Sequence, residues 1–268
     1  MINDICVIDS HCHIYPEKIA AAAVNGTDKF YGGKSVCLGL VDDLLLEGEK
    51  AGIDHFIVQS VATTAKQVAK INEFIAAEVA KHPDKLTGLG TLHPESEDIE
   101  GDLKHLMSLG LHGVKLHPDI QGFKIDDYRC LKIYELCEKY NMPILMHTGD
   151  NRYDNSNPNR LIPVLEIYKD LIIVGAHMGG WSIWEEASKK LCGYKNFYVD
   201  CSSSFAYITK ETAKEIICRY TPQKVMFATD YPMWSPKKEV EIFLSLGFNS
   251  NEMKLMLCDN ANKVFKME

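Results

Sequence analysis

The chain alternates between short, unbroken apolar runs and longer stretches in which apolar residues recur at helical spacing. The runs lie at about 5–9, 55–61, 86–92, 112–116, 142–147, 171–177, 196–201 and 225–230, most of them rich in Val, Ile, Leu or Met. A brief apolar run without polar alternation reads as a strand buried on both faces. Between the runs, the segments 40–51, 65–81, 127–140 and 210–219 each set their apolar residues on one helical face, as Val68, Ile71, Ile75 and Val79 do in the second. Strands alternating with helices predict a parallel sheet. Eight such units in 268 residues predict closure into an α/β, (β/α)8 TIM barrel, one domain over 1–268. An open doubly wound sheet is the competing arrangement. No Gly-x-Gly-x-x-Gly follows a strand, so its nucleotide-binding form has no direct support.

The punctuation agrees. Gly52, Gly110 and Gly247 each follow a helical run, as capping glycines do, and Pro83, Pro143 and Pro222 fall in connections. The first connection, 14–39, is unusually long. In a barrel it lies at the C-terminal face of the strands, which predicts a loop or short helix over the pocket. Residues 250–266 read as a closing helix on the barrel exterior.

Composition acts mainly by exclusion. Hydrophobic residues at 46% and charged residues at 25% are ordinary for a soluble globular protein. A formal net charge of −8 without a basic block argues against nucleic acid or an anionic membrane as partner. No apolar stretch approaches the length of a membrane span. Nine cysteines without Cys-x-x-Cys suggest a reducing compartment, and the N-terminal apolar run is too short for a signal peptide. The expectation is a cytoplasmic protein acting on a small molecule, with a homodimer allowed.

Candidate chemistry gathers at the ends of the runs. The first leads into Asp9-Ser10-His11-Cys12-His13, and strand alternation would turn Asp9, His11 and His13 the same way. Two imidazoles backed by a carboxylate make half of a divalent metal site. Lys115 and His117 end the fourth run, His147 the fifth, His177 the sixth and Asp230 the eighth. Strand ends on one rim of a barrel converge near its axis. Alternation turns Lys115 and His117 inward together or not at all, and either is a candidate substrate contact. Arg152, after the fifth run, is a candidate cation for a substrate acid. Trp181, Trp184, Tyr231 and Trp234 are candidates to wall the pocket.

The ordered motifs Asp9-Ser10-His11-Cys12-His13, His147, His177-Met178-Gly179-Gly180 and Thr229-Asp230-Tyr231-Pro232, with the closing Asn260-Ala261-Asn262-Lys263-Val264-Phe265, resemble the amidohydrolase superfamily. The resemblance is nearest to its group that includes aminocarboxymuconate semialdehyde decarboxylase. It implies a barrel of the metal-dependent hydrolase type. It assigns His11, His13, His147 and Asp230 to the metal, and His177, with Asp230, to acid-base work. The implied cofactor is one divalent ion, Zn2+ first, with Mn2+, Fe2+ or Co2+ able to fit the same donors. A second metal bridged by a carbamylated Lys115 is the less favoured arrangement. The first expectation for activity is metal-dependent hydrolysis of an amide, lactone or ester. The alternative is non-oxidative decarboxylation of a small carboxylic acid, aromatic acids included, at the same site.

Overall fold

A computed structural model describes residue 2 and residues 5–267. Its parallel strands are β1 (Ile8–His13), β2 (His55–Gln59), β3 (Leu86–Gly88), β4 (Gly90–Thr91), β5 (Val114–Leu116), β6 (Ile144–Met146), β7 (Ile173–Gly175), β8 (Phe197–Asp200) and β9 (Val225–Met226). β3 and β4 are one stave. The Leu89 amide between them donates to Val58 on one side, and Gly90 donates to Gly113 on the other, each at 2.9 Å. The sheet closes where the Ser10 amide donates to the Phe227 carbonyl at 3.0 Å and Cys12 pairs with Tyr231. The outcome is the eight-staved barrel.

Helices form where the spacing places them, at Val41–Ala51, Val68–Lys81, Leu131–Lys139 and Lys210–Tyr220. Gly52, Gly110 and Gly247 take φ of 74°, 74° and 69°, a left-handed turn that only glycine adopts without strain. Most strands are shorter than their apolar runs, because the runs continue past the hydrogen-bonded ladder into the rim loops.

Three details depart from the sequence reading. The 14–39 connection contains a full helix, α1 (Glu17–Tyr31), with Ala20 its one buried residue. The closing helix does not pack on the exterior. Its Cys258, Ala261, Val264 and Phe265 join the inward-facing Ile8, Ile57, Leu89, Leu145, Val174, Tyr198 and Met226 in one cluster. It plugs the N-terminal end of the barrel, tied there by Asn260 donating to the Pro222 and Val225 carbonyls at 2.7 Å each. The apolar stripe was legible; its partner, the open floor of the barrel, was not. Finally, the register of β1 slips between Asp9 and Cys12, a bulge that breaks strict alternation. Among the described residues, no helix is long and apolar enough to cross a membrane.

Candidate active site

At the C-terminal rim, His11, His13 and Asp230 each offer a ligand atom within 4.8 Å of the others. The Nε2 atoms of His11 and His13 face each other at 3.1 Å, and Asp230 Oδ1 lies 3.4 and 3.6 Å from them. Four ligands at about 2.0–2.1 Å from a tetrahedral ion stand about 3.4 Å from one another, so the three atoms already fit such a shell.

The tautomers follow from the partners. His11 Nδ1 donates to Asp200 Oδ2 at 2.8 Å, which leaves Nε2 with its lone pair toward the centre. His147 Nε2 donates to the Gly149 carbonyl at 3.1 Å, and His177 Nδ1 to the Ser202 carbonyl at 3.0 Å. His147 Nδ1 and His177 Nε2 are then both acceptors, 3.0 Å apart. Acceptor lone pairs that close repel unless a proton or a cation stands among them. The atoms of His11, His13 and Asp230 therefore suit a divalent metal, while His147 Nδ1 faces His177 Nε2. His147 also belongs to a neighbouring group with His117 and Asp119.

Electrostatics agree with this tautomer set. Burial, then the positive neighbours, hold His13 and His147 well below the usual histidine range, and burial brings His177 down to about 4. Burial opposes ionisation of Asp230 and Asp200, yet the surrounding imidazoles hold both below the usual carboxylate range. Burial lowers Lys115 to about 8, and its Nζ lies 2.9 Å from His11 Nε2. His177, Met178, Ser203 and Asp230 all have φ between 46° and 60°, so non-glycine residues hold left-handed backbone at this rim. Such strain concentrates at functional sites.

Lys115 and His117 turn inward together and both line a cavity of about 740 Å3. His117 stacks on His147, ring centroids 4.0 Å apart, and bonds the Tyr31 hydroxyl at 2.7 Å, so the last residue of α1 is tied to the site. Arg152 does not line the cavity. Its guanidinium donates to both oxygens of Asp150, at 2.9 and 2.7 Å, and to the Phe30 carbonyl at 2.8 Å. It also lies over the rings of Phe30, Tyr31, Tyr153 and Trp181. Its charge is committed to holding the end of α1, which corrects its reading as a substrate contact. Of the aromatics, Trp181 lines the cavity. Trp184 is buried, Tyr231 donates to the Leu40 carbonyl, and Trp234 donates to Ser203.

Asp9 does not back the imidazoles. The bulge turns it to Thr229, whose amide and hydroxyl donate to it at 2.9 and 2.5 Å. Asp200 takes that place and was missed. The signal was present: Asp200 ends the seventh run, as His147 and Asp230 end theirs. Ser202 and Ser203, which donate to Asp200 and Asp230, carried no signal in the sequence.

A parallel α/β barrel with imidazoles and carboxylates gathered at its C-terminal rim is the architecture of metal-site barrel enzymes. A family model described as Amidohydrolase matches residues 8–267, and the chain belongs to that family. Two curated relatives match. A 2-amino-3-carboxymuconate-6-semialdehyde decarboxylase of Dictyostelium discoideum is 27% identical over 35% of this chain and 27% of its own length. A gamma-resorcylate decarboxylase of Polaromonas sp. (strain JS666) is 21% identical over 85% of this chain and 86% of its own. The chain thus spans about a quarter of the first relative and most of the second. Among solved structures, 5-carboxyvanillate decarboxylase of Sphingomonas paucimobilis superposes with a TM-score of 0.78 at 17% identity, over 99% of this chain and 100% of that one. A dihydroxybenzoic acid decarboxylase of Polaromonas sp. JS666, with bound manganese and an inhibitor, gives 0.76 at 16% identity, over 98% and 97%. These structural likenesses establish the barrel fold.

Proposed function

We propose that the protein is a non-oxidative decarboxylase of a small aromatic or unsaturated carboxylic acid, dependent on one divalent metal ion. The observation that carries this reading is Lys115, a buried amine on the wall of a largely apolar cavity that it shares with His11, His13 and Asp230. A carboxylate brought there meets positive charge, and the negative charge left on the substrate carbon as CO2 departs stays in the same field. Both curated relatives and both structures named above are decarboxylases, which supports the same order. The hydrolytic reading, first on the motifs alone, becomes the second.

His11, His13, His147 and Asp230 would hold the ion, which when bound supplies positive charge to the substrate's oxygens. Lys115, which lines the same cavity, would pair with the substrate carboxylate. The bond between the carboxyl carbon and the substrate breaks, its electron pair stays on the substrate carbon, and CO2 leaves. A proton must then reach that carbon. The proton comes from water: His177 is anchored through Nδ1 on Ser202, so Nε2, which carries no proton at rest, is the atom that would take one up and pass it to the carbon. Residues of α1 cover the site and limit water.

The test is metal analysis of freshly purified protein, which decides between zinc and manganese, followed by a screen of aromatic and unsaturated acids. Release of CO2 with the matching decarboxylated product is expected. Cleavage of an amide, lactone or ester without CO2 restores the hydrolase.

A further inference from the structure

The cavity is larger than its polar end requires. An apolar cavity of roughly 150 Å3 is enough for benzene; this one is about 740 Å3. His11, His13, Lys115 and Asp230 line part of it. Among the other residues that line it are Ile19, Ala23 and Gly26 of α1 and Ile71 and Phe74 of the helix Val68–Lys81, with Thr63, Gln67 and Lys70 in or just before the latter. α1 has 15 residues and buries Ala20 alone, so its apolar residues are not packed into the core, and Ile19, which lines the cavity, is 52% exposed. Gly26 sits inside that helix and lines the cavity, and a Cβ placed there would meet nothing within 4 Å.

We propose that this apolar arm under α1 is a substrate compartment, and that the acid processed at the His/Asp cluster carries an apolar extension, an alkyl chain or a second ring, that fills it. The carboxylate end of this assignment rests on the decarboxylase reading; the arm rests on cavity shape and lining. The polar cluster sets where the carboxylate lies, and the arm then selects by length. Single-ring acids leave the arm to water. Longer acids expel that water and gain affinity with each methylene buried.

The experiment is calorimetric binding of benzoate, 4-ethylbenzoate, 4-butylbenzoate and 4-hexylbenzoate to the metal-loaded protein, wild type and Gly26→Leu. Leu is a better helix former than Gly, so the substitution fills the arm without disfavouring α1. In the wild type, affinity is expected to rise about threefold to fourfold per methylene. In Gly26→Leu the hexylbenzoate-to-benzoate affinity ratio is expected to fall at least tenfold; Ala23→Phe gives the same result from a second position. A flat series in the wild type, no binding by any member, or a ratio unchanged in both variants overturns the proposal. Failure of the decarboxylase reading looks different: the length dependence persists while no acid, short or long, releases CO2.

Discussion

Asp200 accepts a 2.8 Å hydrogen bond from His11 Nδ1 with one oxygen, and with the other accepts from the His177 amide at 3.0 Å. One buried carboxylate therefore sets the tautomer of a ligand candidate and the position of the acid-base candidate. Replacing Asp200 with Asn keeps the shape and removes the charge. The expected outcome is a loss of metal affinity of about 10–100-fold, read by chelator competition. Unchanged affinity would show that His11 needs no such partner.

His177 is anchored through Nδ1 on Ser202, turns Nε2 toward His147 Nδ1, and is not one of the three side chains gathered as His11, His13 and Asp230. His177→Asn is expected to keep its metal and lose roughly 10²–10⁴-fold in kcat. Loss of metal in that variant, measured by elemental analysis, makes His177 a ligand instead.

Arg152 joins the loop after β6 to the C-terminal end of α1, where its charge also complements the helix dipole. Arg152→Ala is expected to speed limited proteolysis within 17–31 and to raise KM more than it lowers kcat. Lys should rescue little, because a point charge cannot make the planar, forked contact with Asp150 and Phe30 at once. Proteolysis at the wild-type rate would show that α1 is held by other contacts.

Glu239 is 4% exposed, and its Oε2 has no partner among the described residues. Burial, reinforced by Asp9 and Asp230, pushes its carboxyl up to about 8, and burial pushes Asp9 up to about 6. Both groups hold protons in the folded chain that the unfolded chain, with carboxyls near 4, has already released. Stability is therefore greatest at low pH within this pair's range and falls as pH rises from about 4 to 8. Glu239→Gln is expected to flatten much of that slope and to stabilise the protein near pH 8. Each tenfold excess of proton affinity in the folded state over the unfolded one is worth roughly 1.4 kcal/mol there. Urea unfolding across pH 5–9 measures it; parallel curves for variant and wild type would place the Glu239 proton elsewhere.

The alternation of apolar runs with helical stretches was enough to order the strands and helices, because both signals are local: neighbours two apart in a strand, three or four apart in a helix. The same pattern put His11, His13, His147, His177 and Asp230 at strand ends, and a barrel brings strand ends together. Pairing was beyond it. His11 meets Asp200 across 189 positions, Asp9 meets Thr229 across 220, and Arg152 meets Phe30 across 122. A one-residue bulge in β1 was enough to hand the role expected of Asp9 to Asp200, since each inserted residue reverses which face a strand residue presents. The sequence alone therefore determined the order of elements and which side chains stand at the rim. Only the closed barrel decided which atoms of those side chains face one another, because hydrogen bonds are directional and their partners lie on other strands.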